Sequence, residues 1–213
     1  SALAAEGFEA GPGKYSATGV RLNDRKRVTG SDLFKTGKVE IQDEAAQLCS
    51  ALVAAEPGQT VLDACAGAGG KALALAADMQ NKRHIEAWDV DDRRLDRLLP
   101  RLERAGVKIV SARKVRADGS DIYPDYQQAF DRVLVDAPCS GTGTWRRNPE
   151  TKWRLTPETL DHNVARQAKI LNRAAELVKP GGRLIYATCS VLDCEGADQV
   201  HAFLSLQPDF SVL

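Results

Sequence analysis

The chain lacks the features of metal-binding, membrane and strongly basic proteins. It has no Cys-x-x-Cys pair, and its three histidines are scattered, so we expect no metal site. No stretch approaches the about 18 apolar residues of a membrane span, and no basic start followed by an apolar run marks a signal peptide. The 29 basic and 29 acidic residues give a net charge of zero. This balance argues against strong nucleic-acid binding by the chain alone, although it is compatible with a local basic patch.

What is present fits one large globular domain, or one domain with an arm. The chain has 213 residues, of which 43% are hydrophobic, and five cysteines without metal-like spacing. An odd number of such cysteines is typical of reduced thiols in a cytoplasm. We therefore predict a cytoplasmic protein with no membrane partner, and we expect a monomer. Because the chain begins with Ser1 in a run of small residues, we also expect it to be a fragment.

Short apolar runs alternate with helical patterns through most of the chain, which predicts an α/β fold with a mostly parallel sheet. The predicted strands are 60–63, 84–88, 108–111, 131–135 and 183–187. The predicted helices are 43–55, 70–79, 91–105, 157–178 and 194–206, and residues 210–213 are compatible with one further strand. Residues 1–42 are predicted to be an N-terminal arm, with a hairpin turn at Asn23-Asp24 between strands at 19–22 and 27–29. Residues 43–213 form the predicted main domain.

Two cysteines follow predicted buried strands. Cys139 lies in Asp136-Ala-Pro-Cys-Ser-Gly-Thr-Gly143, and Cys189 lies in Thr188-Cys-Ser190. The carboxyl ends of parallel strands form the ligand crevice of an open α/β sheet. We therefore expect both thiols to face one site. The remaining cysteines are interpreted as inert small hydrophobic residues or, for Cys65, as part of a loop lining.

A glycine-rich loop follows the strand at 60–63 in the sequence Asp63-Ala-Cys-Ala-Gly-Ala-Gly-Gly-Lys71. Its glycines allow a nucleotide to approach the backbone closely. The spacing also fits a dinucleotide fingerprint, but no hydride-transfer site follows. Asp89 lies at the end of the next strand, where a carboxylate can accept hydrogen bonds from ribose hydroxyls. Asp91 and Asp92 are interpreted as helix N-terminal acids.

These three motifs together resemble the S-adenosylmethionine-dependent RNA (cytosine-5) methyltransferases of the Sun/Fmu, RsmB-like group. The resemblance runs from about Gln42 to the chain end. It implies a Rossmann-like class I methyltransferase domain at 43–213, with S-adenosylmethionine as the cofactor and RNA as the partner. It also implies a final hairpin of the sheet, whose last strand has no counterpart in this sequence, and a separate RNA-binding domain upstream.

The resemblance also assigns roles to residues. It makes Cys189 the nucleophile and Cys139 the thiol that assists product release, whereas the DNA enzymes use the cysteine of the Pro-Cys motif as nucleophile. Asp136 is expected to stabilise the base, and Lys71 to face either the base or the cofactor carboxylate. Asp-Ala-Pro-Cys is also similar to the Asp-Pro-Pro-Tyr motif of amino methyltransferases, which use no nucleophilic cysteine. The predicted cofactor-binding residues are Asp63, Cys65, Ala66, Gly67, Ala68, Gly69, Gly70, Lys71, Asp89, Asp118 and Asp136.

A local basic cluster follows the first cysteine loop. It contains Arg146, Arg147, Lys152 and Arg154, interleaved with Trp145 and Trp153. One interpretation is phosphate contact and base stacking by RNA; the other is a solvated loop whose tryptophans pack inward. The predicted function is methylation of carbon 5 of cytosine, with ribosomal RNA as the first substrate. The alternatives are methylation of transfer RNA and a non-catalytic RNA-binding module that has kept the fold.

Overall fold

The computed structural model describes residues 2–23, 26–118, 120–121 and 124–213. The strands are β1 Ala10–Pro12, β2 Val20–Leu22, β3 Thr60–Asp63, β4 His84–Asp89, β5 Val110–Lys114, β6 Phe130–Asp136 and β7 Val178–Ala187. The α-helices are α1 Ala2–Ala5, α2 Asp32–Lys35, α3 Glu44–Val53, α4 Gly70–Asp78, α5 Asp92–Arg104, α6 Thr151–Arg154, α7 Pro157–Ala175 and α8 Ala197–Leu206. Short 3₁₀ helices span Val28–Gly30, Pro124–Tyr126, Thr142–Thr144 and Asp193–Glu195.

The main sheet has five parallel strands in the order β5-β4-β3-β6-β7. This topology confirms the prediction of a Rossmann-like α/β fold. The strand order reverses at β3, which has β4 on one side and β6 on the other. Ligands of open α/β sheets bind at such a switch point, outside the carboxyl ends of the strands. The fold therefore directs the loops after β3, β4, β6 and β7 into one region.

Both faces of the sheet are buried, as expected for parallel strands. Successive residues of a strand point to opposite faces. Leu62 and Val133 accordingly pack in a cluster with Trp88, whereas Val61 and Leu134 pack in a different cluster, on α3 and α4. The middle residues of both central strands are therefore fully buried: Val61, Leu62, Val133 and Leu134 are all 0% exposed.

Helix α7 begins and ends at clear local signals. Thr156 Oγ1 accepts a hydrogen bond from the Thr159 amide at 3.2 Å, and Pro157 occupies the first helical position, where its missing N–H costs nothing. The helix ends at residue 175, three residues before the predicted end, because Val178 already pairs with Phe130 in the sheet. Strand β7 is correspondingly longer than the predicted 183–187.

The N-terminal hairpin differs from the predicted one. Strand β2 pairs antiparallel with β1, in the register Gly11 opposite Arg21, and not with residues 27–29. Residues 28–30 are instead drawn into a 3₁₀ helix, because Ser31 Oγ donates to the Val28 carbonyl at 2.7 Å and caps α2. The predicted turn at Asn23-Asp24 falls partly outside the described residues, since these exclude residue 24.

Two further predicted strands, 108–111 and 210–213, differ from the observed structure. Strand β5 begins at Val110 and runs to Lys114, later than the predicted 108–111, since its pairing with β4 sets its register: Val110 lies opposite Ile85 and Lys114 opposite Asp89. Residues 210–213 form no strand in the described structure. Phe210 packs instead against Phe203 of α8, with ring centroids 5.2 Å apart.

The arm contacts the main domain through half-buried carboxylates. Glu40 pairs with Arg101 and Arg104 of α5, and Glu44 accepts the Ser16 amide at 2.9 Å. The boundary at residue 42 stays a prediction. In the described part of the chain, no helix is long and apolar enough to cross a membrane.

Candidate active site

A cleft of about 700 Å³ opens at the carboxyl edge of the sheet. The loops after β3, β4, β6 and β7 contribute to it, together with helices α3 and α7. Among its lining residues are Cys65, Ala66, Gly67, Ala68, Lys71, Asp89, Asp118, Asp136, Cys139, Arg147 and Cys189. The structure thus brings the glycine loop and both predicted active cysteines into one cavity.

The glycine loop is held tightly against its neighbours. The Ala66 amide donates to the Trp88 carbonyl at 2.8 Å, and the Gly67 amide donates to Asp89 Oδ2 at 2.9 Å. Gly69 has φ +80°, and a Cβ there would lie 1.9 Å from Leu98 Cδ1. A side chain at this position would be strained by the positive φ and would displace the buried Leu98 side chain of α5. The turn therefore depends on helix packing as well as on ligand approach.

Asp89 is fixed at the rim of the cleft. It is 4% exposed, and its Oδ1 accepts the Asp91 amide at 2.9 Å. Each carboxylate oxygen has a second lone pair available for a ligand hydroxyl. Asp91 caps α5 by accepting the Arg93 amide at 3.0 Å, and Asp92 pairs with Lys114 at 2.5 Å. Both neighbours therefore act at the helix start, and only Asp89 lines the cleft.

Replacing Asp89 with alanine should weaken S-adenosylmethionine binding. The substitution removes a charge-assisted acceptor and the anchor of Gly67, which together should cost about 1.5–3 kcal/mol. Isothermal titration calorimetry measures this as a rise in Kd of roughly 10-fold to 150-fold. Asp92→Ala, three residues further on and paired with Lys114, is the matched control and should leave Kd nearly unchanged. Equal losses in both variants would contradict the role of Asp89.

Asp63 lies beneath the cleft and does not line it. It is 1% exposed, and neither carboxylate oxygen has a hydrogen bond of ordinary geometry within the described structure. Burial raises the pKa of Asp63 to about 7, although the charge of Lys71 lowers it. Gly69 and Gly70 are also outside the lining. Direct contact of these three residues with the cofactor stays a prediction.

The buried carboxyl of Asp63 predicts a specific pH dependence of stability. Because its folded-state pKa exceeds the ordinary value of 3.8, its stabilising contribution is full below about pH 4 and is lost as the pH rises towards 7. Between pH 5 and pH 8 this loss should amount to about 2–3 kcal/mol. Urea unfolding at both pH values should show the loss in the wild type and its absence in Asp63→Asn. The exposed Asp96→Asn control should behave as the wild type, and the same loss in Asp63→Asn would refute the assignment.

Lys71 and Asp136 form an ion pair inside the cleft. The Nζ–Oδ2 distance is 2.5 Å, and the side chains are 15% and 33% exposed. Burial alone would lower the pKa of Lys71, but the charge and hydrogen bond of Asp136 raise it above its ordinary value. Lys71 is therefore a cation at neutral pH, held against the Asp136 carboxylate inside the cleft.

The two cysteine thiols are in contact. Their Sγ atoms lie 3.2 Å apart, and Cys189 is the more exposed of the two. A hydrogen bond from the Cys139 thiol lowers the pKa of Cys189 to about 7, and the charge of Lys71 acts in the same direction. The pKa of Cys139 is raised by the same contact and by burial. Of the two thiols, Cys189 therefore has the lower pKa. Its role as the nucleophile stays a prediction.

Two further cysteines, Cys49 and Cys65, line the cleft, and burial raises the pKa of both. Burial raises the pKa of Cys65 to about 12, so its thiol stays protonated at neutral pH. This agrees with its interpretation as loop lining. Within the described ranges, no group of three or more His, Cys, Asp or Glu side chains is arranged to hold a metal ion.

The basic cluster divides between cleft and solvent. Arg147 lines the cleft and pairs with Asp43, whereas Arg146, Lys152 and Arg154 lie outside the lining. Trp153 is 83% exposed, and Lys152 Nζ lies 5.6 Å from its ring centroid. An exposed indole beside a cation fits a stacking surface better than inward packing, although Trp145 is half-buried. Asp118 lines the cleft and accepts the Ser120 amide at 3.0 Å.

Sequence reasoning missed part of the cleft wall. Arg166, Lys169 and Arg173 of α7 line it, and their spacing of three and four residues places them on one helix face. That basic spacing was a usable signal. Glu195, which is buried outside the cleft lining, was also missed, since an isolated glutamate after a cysteine motif carries no local pattern that distinguishes it.

Comparison with known proteins decides the family. The family model described as "16S rRNA methyltransferase RsmB/F" matches residues 50–213. The chain belongs to the RsmB/F methyltransferase family. It is 36% identical over 208 residues to the "Probable ribosomal RNA small subunit methyltransferase B" of Bacillus subtilis (strain 168), covering 98% of this chain and 46% of that protein. It is 40% identical over 193 residues to "Ribosomal RNA small subunit methyltransferase B" of Salmonella newport (strain SL254), covering 89% and 44%.

Solved structures agree with this placement. A methyltransferase homolog protein from Pyrococcus horikoshii is 30% identical, with a TM-score of 0.83 over 96% of this chain and 64% of that one. The structure titled "Crystal Structure of PH0851" is 36% identical, with a TM-score of 0.89 over 96% of this chain and 46% of that one. The chain thus spans less than half the length of the two ribosomal RNA methyltransferase B relatives and of PH0851. Its predicted family and its cofactor, S-adenosylmethionine, are confirmed at the level of the family.

Proposed function

We propose that this RsmB/F domain transfers a methyl group from S-adenosylmethionine to carbon 5 of a cytosine in RNA, with ribosomal RNA as the first substrate. One observation carries the proposal: the Sγ atoms of Cys189 and Cys139 meet at 3.2 Å in the cleft that also contains the glycine loop and the Lys71–Asp136 pair. Two thiols in contact, of which only one ionises readily, suit a reaction in which a carbon–sulfur bond forms and then breaks.

The residues divide the work of activating the base. The Cys189 thiolate attacks carbon 6 of cytosine, which breaks the conjugation of the ring and makes carbon 5 nucleophilic. Asp136 hydrogen-bonds the ring nitrogen or the exocyclic amine and stabilises the charge that develops there, while Lys71 holds the Asp136 carboxylate in place. When bound between the glycine loop and Asp89, the cofactor supplies the methyl group.

Release requires the second thiol. After methylation, carbon 5 carries both the new methyl group and its original proton. A base removes that proton, the carbon 5–carbon 6 double bond reforms, and the bond from carbon 6 to Cys189 breaks with return of the electron pair to sulfur. Cys139 is placed to assist this step because it already hydrogen-bonds the leaving sulfur.

The proposal is tested by bisulfite mapping of RNA from cells with and without the full-length gene. We expect one or more cytosines of the small-subunit ribosomal RNA to lose their protection from bisulfite conversion when the gene is deleted. If cytosines lose this protection in transfer RNA alone, transfer RNA is the substrate and the ribosomal RNA assignment is wrong. An unchanged map of all RNA would overturn the proposal and favour a binding module. A cytoplasmic monomer that needs no metal remains our prediction for the protein.

A further inference from the structure

Glu195 is a buried carboxylate that no step of the proposed reaction uses. It is 0% exposed and lies at the end of the 3₁₀ helix Asp193–Glu195, six residues after Cys189. Its Oε1 accepts the Ser140 amide at 2.8 Å and Gln167 Nε2 at 2.9 Å, and its Oε2 accepts the Ser140 hydroxyl. Burial of a charge is costly unless it is paired or richly hydrogen-bonded. Glu195 is therefore a buried anion surrounded by hydrogen-bond donors.

These donors belong to the loop of Cys139. Ser140 directly follows that cysteine, and Gln167 Nε2 also donates to the Pro138 carbonyl, the residue directly before it, at 2.9 Å. Glu195 thus holds both sides of Cys139 although it lies on the chain segment that follows Cys189. Gln167 is itself 0% exposed, so the contact is shielded from water.

A second set of contacts fixes the loop of Cys189 to the same point. Ser190, directly after that cysteine, has its Oγ 3.3 Å from Ser140 Oγ and 3.0 Å from Thr142 Oγ1. The Gly143 amide donates to the Cys189 carbonyl at 2.9 Å, and a Cβ at Gly143 would lie 2.7 Å from that oxygen. The two loops therefore touch through backbone as well as through hydroxyl groups.

The carboxylate is ionised at neutral pH. Burial raises the pKa of Glu195, but hydrogen bonds from Ser140, Ser190 and Gln167 outweigh this and lower it below the ordinary value. A permanent anion accepts these bonds more strongly than a neutral group. Glutamine would keep one acceptor oxygen but would point an N–H₂ group at donors.

We propose that Glu195 is a positioning residue that ties the Cys139 loop to the Cys189 loop and so keeps the two thiols in contact. The inference rests on the proposed function, because contact between the thiols matters only if both act on one substrate. Without Glu195, the Ser140 amide and hydroxyl lose this acceptor. The two loops then keep only their direct hydroxyl and backbone contacts, which hold the thiols less closely. The expected consequences are a weaker hydrogen bond to the nucleophile and slower release of the product.

The test measures the ionisation of Cys189 without RNA. Iodoacetamide alkylation of this cysteine, resolved by peptide mass spectrometry from pH 5.5 to pH 9.5, reports its thiolate fraction. The titratable groups that act on Cys189 are Cys139, Asp136 and Lys71, and they are unchanged in the variants. Glu195→Ala should shift the midpoint upward by about one pH unit, with a smaller shift in Glu195→Gln and Ser140→Ala. The exposed Glu103→Gln control should give the wild-type midpoint.

The outcomes separate the inference from the proposed reaction. Unchanged midpoints in folded variants, checked by near-ultraviolet circular dichroism, would overturn the positioning role even if RNA is methylated. A shifted midpoint supports it even if the RNA map shows no methylation. If Glu195→Ala fails to fold, the Glu195→Gln and Ser140→Ala profiles decide in the same way. If the protein is active and Glu195 positions the thiols, these variants should also have a lower kcat at an unchanged KM for S-adenosylmethionine.

Discussion

Cys189→Ala should abolish both methyl transfer and any covalent protein–RNA species, whereas Cys139→Ala should accumulate such a species. The first variant loses the thiolate that attacks carbon 6, and loss of a nucleophile costs on the order of 10⁴-fold or more in rate. The second variant retains Cys189 and can still form the adduct, in which carbon 5 of the cytosine accepts the methyl group. It lacks the thiol that assists bond breaking, so the adduct persists.

The measurement is a denaturing gel of labelled RNA incubated with the full-length protein and S-adenosylmethionine. Cys194→Ala, a third cysteine outside the cleft lining, is the control and should resemble the wild type. The reverse result would show that the roles are exchanged: an adduct that persists in Cys189→Ala and vanishes in Cys139→Ala. That is the arrangement of the DNA enzymes.

Removing Cys139 should also raise the pKa of Cys189, because its hydrogen bond is the largest influence that lowers it. Adduct formation in Cys139→Ala is therefore expected to be slower at pH 7 than at pH 8.5. The adduct test is best performed at the higher pH, where both proteins carry the thiolate.

The fold was predictable because its signals are local. Buried strands such as Val133–Leu134–Val135 appear as short apolar runs, and glycine or proline marks the ends of helices. The predictions were wrong where contacts between residues distant in sequence determine the strand boundaries and pairing. The start of β5 depends on its pairing with β4, and β2 pairs with residues 10–12, which carry no strand pattern.

The site was predictable only where a motif carries it. Cys139, Cys189 and the glycine loop are contiguous in sequence with the strands that position them. Arg166 lines the cleft and Glu195 lies buried behind it only because of tertiary packing. The neighbouring Gln167 of α7 donates to Glu195 and to the Pro138 carbonyl from 28 and 29 residues away. No spacing rule relates such residues, so only the three-dimensional structure identifies them.

Asp136→Asn should lower kcat by about 10²-fold to 10³-fold, the usual cost of losing one preorganised group that stabilises transition-state charge. The asparagine keeps the shape of the side chain but removes the anion that pairs with Lys71 at 2.5 Å. Asp136 was predicted to act both on the base and on the cofactor. Single-turnover methylation and calorimetry with S-adenosylmethionine separate these roles, since a base-stabilising residue changes the rate but leaves Kd for the cofactor within a few-fold.

Strand β6 itself supplies the control. Asp131, near its other end, pairs with Lys179 at 3.0 Å and is 31% exposed, similar to Asp136. Asp131→Asn removes an equivalent ion pair far from the cleft, so it should lower stability modestly and leave kcat unchanged. A large fall in cofactor affinity with normal kcat in Asp136→Asn would assign the residue to cofactor binding alone. Equal falls in kcat in both variants would mean that the ion pair on β6 serves folding, and that the charge of the base is stabilised by another group of the cleft.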